Sequence, residues 1–196
     1  MKKSTIILIS VVAVIALLFM WVSSSYNGLV TAQEEVNSQW ANVESQYQRR
    51  ADLIPNLVAT VKGYATHESS TLEGVISARA KATQVTIDPT NLTPEKLQQY
   101  QAAQGQVSSA LGKLMMISES YPELKANQNF LELQAQLEGT ENRIAVERGR
   151  FNELAKEYNL NIRHFPASIF ANIFGFEKKP YFEAEKESKN APKVQF

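Results

Sequence analysis

The segment from Ile6 to Val22 is apolar at every position except Ser10, and Met1-Lys2-Lys3 precedes it. As a helix it spans roughly 25 Å, and Thr5 and Ser23 extend it towards the thickness of a bilayer core, so residues 5–23 are expected to contact the membrane. Signal peptides usually carry about 7–15 apolar residues, so this run favours an uncleaved anchor. The small residues Ser23-Ser24-Ser25 leave a cleaved signal as the alternative. Trp21 suits the interface, where an indole is half wet. Lys2 and Lys3 predict a cytoplasmic N-terminus and a single-pass chain whose body, residues 26–196, is exported across the cell membrane.

From Tyr26 onward apolar residues recur three and four apart: Leu29, Val36, Trp40, Val43 and Tyr47, then Ile54, Leu57, Val61, Ala65, Leu72 and Val75. That is the stripe of a helix packed on neighbours, and no stretch alternates with the period of a strand. Pro55 interrupts it, because proline cannot donate to the carbonyl of Ala51. The register continues through Pro55, which fits either a kink or a tight reversal. A second possible break lies at His67–Ser70, where Ser70 and Glu73 have capping-box spacing.

Downstream, Ile87–Leu92 reads as a loop, and Thr93-Pro94-Glu95 as a helix start with proline at the first helical position. Tyr121-Pro122 closes that helix, and Asn127 or Asn129 can cap the next, which stops before Pro166. Segments 26–54, 56–86, 94–120 and 129–165 are similar in length and closely joined. The fold class is therefore all-α: an N-terminal transmembrane helix followed by an antiparallel up-and-down bundle. Four helices are favoured; three with a long kinked first helix is the alternative. The domain reading is an anchor over 1–25, a bundle over 26–176, and a charged, poorly ordered tail over 177–196.

Composition excludes several function classes. Lys plus Arg and Asp plus Glu both number 20, so there is no basic excess for nucleic acid. With no Cys and two His, thiol chemistry and Cys-ligated metal are impossible and a His-rich site cannot form. His67-Glu68 begins like a zincin helix, but position 71 is Thr rather than a second His. The residues three before His67 and His164 are Tyr64 and Asn161, so no Glu-x-x-His pair exists for a di-iron bundle. No phosphate-binding glycine loop and no Ser-His-Asp context is present. The sequence thus predicts no catalytic residue, no metal site and no cofactor.

The runs Tyr26-Asn27-Gly28-Leu29-Val30, Gln48-Arg49-Arg50-Ala51-Asp52-Leu53-Ile54-Pro55-Asn56-Leu57-Val58 and Val61-Lys62-Gly63-Tyr64-Ala65 resemble the LemA family of bacterial membrane-anchored proteins. Tyr121-Pro122-Glu123-Leu124-Lys125-Ala126-Asn127, Leu137–Ile144, Arg148-Gly149-Arg150-Phe151-Asn152, Tyr158-Asn159 and Phe165-Pro166 continue the likeness, which covers about residues 26–176. The resemblance implies an N-terminal membrane helix and an antiparallel helical bundle. It brings no established catalytic residue, cofactor or substrate.

Charged residues on or beside the stripe are the local anomalies. Arg50, Glu68 and Arg79 fall there in the first half, and Glu141 and Arg148 near Ile144 and Phe151. The favoured reading is that their stems lie along the stripe while their charges stay wet. A buried polar layer that fixes helix register is the second reading, a ligand site the third, and a local pair of Arg49 or Arg50 with Asp52 a further one. Beyond Pro166, Ile169, Phe170, Ile173, Phe174 and Phe176 form a short apolar cluster followed by Lys178-Lys179. It either caps the base of the bundle or dips into the membrane interface. Together these features predict a non-enzymatic, membrane-anchored scaffold or adaptor that binds another envelope protein or itself. The alternative is a lipid or small-molecule binder, its cavity lined by Trp40, Tyr47, Tyr64, Met115 and Met116.

Overall fold

The computed structural model describes residues 3–183, among which there are helices and no strands. The helices are α1 (Lys3–Lys62), α2 (Ser69–Gln84), α3 (Pro94–Ser118), the single turn α4 (Pro122–Lys125), α5 (Gln128–Asn161) and α6 (Ala167–Phe174). The first part of α1 is bare: its apolar residues from Ile6 to Trp21 are exposed, and it is long and apolar enough to cross a membrane. The remainder is the long first helix of the bundle. Partners on α5 fall in number as α1 rises, from Gln39 with Glu147 to Arg50 with Glu141, and just beyond the two helices Tyr64 meets Asn127, so these helices are antiparallel. Partners on α3 rise with α1, from Trp40 with Tyr100 to Arg50 with Gln104, so those two are parallel. The bundle helices therefore run up, down, up and down, as in the four-helix reading.

The first turn of the chain is not at Pro55. α1 continues through it and ends at Lys62, and the reversal occupies Gly63–Glu68. The reason lies at the carbonyl that Pro55 leaves without its helical donor. Arg79 of α2 donates Nε to the oxygen of Ala51 at 2.7 Å, replacing the missing N–H. Replacing Arg79 with Ala should cost about 1–2 kcal/mol. In a Pro55→Ala background the restored backbone N–H takes over that oxygen, so the cost should shrink. A double-mutant cycle by urea denaturation measures this coupling, and additive effects would contradict it. The Ser70–Glu73 capping box does not form either: α2 opens at Glu68, without a side-chain cap. By contrast, Thr93 caps α3 and Asn127 caps α5 through side-chain oxygens.

The interior is two apolar clusters stacked along the bundle. The one nearer the anchor contains Trp40, Tyr47, Tyr100, Ile144, Phe151 and Tyr158. The distal one contains Ile54, Leu57, Leu111, Leu114, Phe130 and Leu137. Trp40, Leu57, Leu111, Ile144 and Phe151, all on the inferred inner faces, are buried.

Burial raises the pKa of Tyr47 and Tyr100, and pushes Tyr158 up to about 12. Unfolded tyrosine ionises near pH 10. Above that the unfolded chain releases protons that the folded chain retains, so the contribution of these rings is complete below about pH 10 and falls as pH rises through the folded values. Part of the tyrosinate absorbance should therefore appear together with loss of helical circular dichroism in strong alkali. Complete tyrosinate absorbance with the helical signal intact would contradict this.

Candidate functional site

The two clusters are separated by a polar level at which α1, α3 and α5 carry polar residues between core positions. On α1 Arg50 stands between Tyr47 and Ile54; on α3 Gln104 stands between Tyr100 and Val107; on α5 Thr140 and Glu141 stand between Leu137 and Ile144. Arg50 does not keep its charge in water: the residue is 1% exposed. One Nη donates to Glu141 Oε1 at 2.7 Å and to Ser108 Oγ at 2.8 Å. The other donates to the side-chain and backbone oxygens of Gln104 at 2.6 and 3.1 Å. The guanidinium also lies over the ring of Tyr47, 5.1 Å from its centroid. Four hydrogen bonds from one guanidinium to acceptors on two neighbouring helices make this a junction that a lysine ammonium could not reproduce.

Arg50 forms the floor of an open cleft of about 880 Å³ that runs along α3. Its α3 wall mixes the short residues Ala102, Gly105 and Ser109 with the long polar side chains of Gln101 and Lys113. Lys81, Lys113 and Arg148 bring positive charge to the lining, and Glu141 and Glu183 negative charge. Such a surface can exchange hydrogen bonds and ion pairs with a polar partner.

Of the six charged residues singled out from the sequence, the structure brings Arg50, Glu141 and Arg148 to this cleft. Arg79 acts instead on the carbonyl of Ala51, the residue after Arg50. Asp52 is exposed and accepts from Gln48, and does not pair with Arg50. Glu68 sits at the far end of the bundle, where it accepts from Tyr121. The proposed lipid cavity does not assemble: Trp40 and Tyr47 are core residues, whereas Tyr64 and Met116 are exposed. Both His residues are exposed, and no group of metal-ligating side chains occurs among the described residues.

The tail expected from residue 177 is packed as far as Glu183; residues 184–196 lie outside the described part. Asn159 grips Lys179, accepting from its N–H and donating to its carbonyl, both at 2.8 Å. Asn152 does the same to Phe182, at 2.8 and 2.9 Å. Seven helical residues rise about 10.5 Å and three extended residues about 10 Å, so the two asparagines match the strand-like segment in pitch. Phe182 then stacks on Trp40 at 5.7 Å and meets Phe151 edge-on at 5.3 Å. The Lys179 ammonium reaches the carbonyl of Pro89 at 2.7 Å, and burial lowers its pKa. The end of this strap delivers the carbonyl of Glu183 to Arg148 and Gln101 at the mouth of the cleft. The sequence signal for it was the aromatic pair Tyr181-Phe182 inside an otherwise charged stretch.

The LemA family model matches residues 39–196, four fifths of the sequence and including the strap. The chain belongs to the LemA family. Relatives of this chain include the magnetosome proteins MamQ 1 and MamQ 2 of Paramagnetospirillum magneticum. Each is 30% identical over 201 residues, covering 94% of this chain and 72% of its own length. The protein LemA of Metamycoplasma hominis is 24% identical over 158 residues, covering 81% of this chain and 68% of its own. Family and relatives fit a membrane-associated protein, as does the bare apolar part of α1.

Proposed function

We propose that this LemA-family chain is a non-enzymatic, membrane-tethered scaffold of the bacterial envelope, and that the cleft beside α3 receives another envelope protein or a second copy. The observation that carries this reading is the continuity of α1. One helix is both the candidate membrane span and the core helix of the bundle, so the cleft is held at a fixed height from the bilayer. A scaffold needs that rigidity, whereas a soluble enzyme does not. The polar lining of the cleft, with both signs of charge around Arg50, suits a protein surface better than an acyl chain. The relatives named as magnetosome proteins support membrane association and leave the partner unnamed. Lys2 and Lys3 orient the bundle away from the cytoplasm in this reading.

The test is site-specific photocrosslinking of the full chain in native membranes, with the probe at Gln106 or Ser109 in the cleft and at Lys156 on α5 as the control. The expected result is a discrete adduct from the cleft positions that the control lacks, with twice the mass of the chain if the partner is another copy. Equal, diffuse labelling from all three positions would refute the assignment of the cleft.

A further inference from the structure

A second surface stands out where α6 meets the anchor. Phe170 touches Trp21 edge-on at 5.2 Å, and Phe174 and Phe176 meet Tyr26 at 5.0 and 5.7 Å. The helix is short and ends at Gly175, whose φ of +75° provides the left-handed turn into the strap. Ala171 is buried against the bundle. On the other side of α6, Ile169 and Ile173 lie one turn apart, and Phe165 precedes them. All three are exposed, Phe165 at 82% and Ile173 at 68%. Arg163 and Lys178 are exposed at either end, with Glu177 an acid in the same stretch.

We propose that Phe165 and α6 form a second membrane contact, lying in the headgroup–acyl boundary beside the point where α1 leaves the bilayer. This rests on the reading that the apolar part of α1 spans the membrane. Trp21 closes that apolar part, and its contact with Phe170 sets α6 at the same depth. The bare apolar surface of the span, including Phe19 and Trp21, continues onto the exposed ridge of α6, so the covering that satisfies one satisfies the other. Arg163 and Lys178 then sit at the level of anionic headgroups. A helix held at two points cannot swivel about its anchor, so this contact fixes which way the cleft faces.

The chain has no native cysteine, which permits single-cysteine reporters. The full chain carrying I173C or I169C, each with an environment-sensitive fluorophore, is reconstituted into phosphatidylethanolamine–phosphatidylglycerol vesicles and quenched with spin-labelled lipids. L8C in the anchor and Q106C in the cleft are the references, and unchanged helical circular dichroism verifies each fold. Several-fold stronger quenching at 173 and 169 than at 106 is expected. Quenching at 8 but not at 173 or 169 would overturn the proposal while leaving the anchor standing. Failure at 8 as well would remove the spanning reading and this contact with it. Labels shielded from lipid while positions 173 of two chains crosslink would assign the ridge to a second copy instead.

Discussion

Truncating Phe151 to Ala is expected to destabilise the bundle by about 3–5 kcal/mol. Phe151 is 0% exposed, and its ring is walled by Trp40 at 5.8 Å and by Phe182 at 5.3 Å, both edge-on. Rigid aromatic walls on two sides do not collapse into the space, so the loss should lie towards the upper end for a phenylalanine. The same ring supports Phe182, which holds the strap against α5, so the variant should also loosen Lys179–Glu183. Urea denaturation of the full chain in detergent micelles, followed by circular dichroism, measures the first effect. Amide hydrogen exchange at Lys179 and Phe182, whose N–H groups are bound by Asn159 and Asn152, measures the second. A loss below about 1 kcal/mol would show that the aromatic wall relaxes around the vacancy.

The elements most legible in the sequence were those written in a local period. The three-four stripe placed Trp40, Ile144 and Phe151 inward because each helix repeats its own pattern, and the exposed run from Ile6 stood apart for the same reason. Thr93-Pro94 gave the start of α3, since a cap is a contact between residues three apart. Long-range hydrogen bonds leave no such trace. Whether α1 kinks, reverses or continues at Pro55 depends on Arg79, which is distant in sequence and supplies the donor that Pro55 lacks. The strap depends on Asn152 and Asn159 accepting and donating to a backbone that carries no periodic signature. Arg50 was visible as a charge in the stripe. That it stays buried instead of reaching water follows from Gln104, Ser108 and Glu141 converging on it from two other helices, which is a property of the packing.

The polar level yields a prediction about which partner the bundle misses more. The Arg50 side chain is 2% exposed, whereas that of Glu141 is 41% exposed. Glu141→Ala strips the counterion from a guanidinium that is itself almost wholly buried, and should cost about 3 kcal/mol. Arg50→Met leaves a carboxylate that the open cleft can hydrate, while the thioether side chain fills most of the vacated volume. It should therefore cost less than Glu141→Ala, even though Arg50 makes the larger number of hydrogen bonds. Glu141→Gln keeps an acceptor at the same place and should fall between them. Replacing both residues, Arg50→Met with Glu141→Leu, joins the two apolar clusters and should return stability to within about 1 kcal/mol of the parent. The cleft would then lose two of its charges and keep Lys81, Lys113, Arg148 and Glu183, so under the proposed function the crosslink from Ser109 should weaken while the fold persists. Urea denaturation of the four variants gives the order. If Arg50→Met were the more damaging of the two single truncations, the hydrogen bonds to Gln104 and Ser108, and not the charge balance with Glu141, would be what holds this level together.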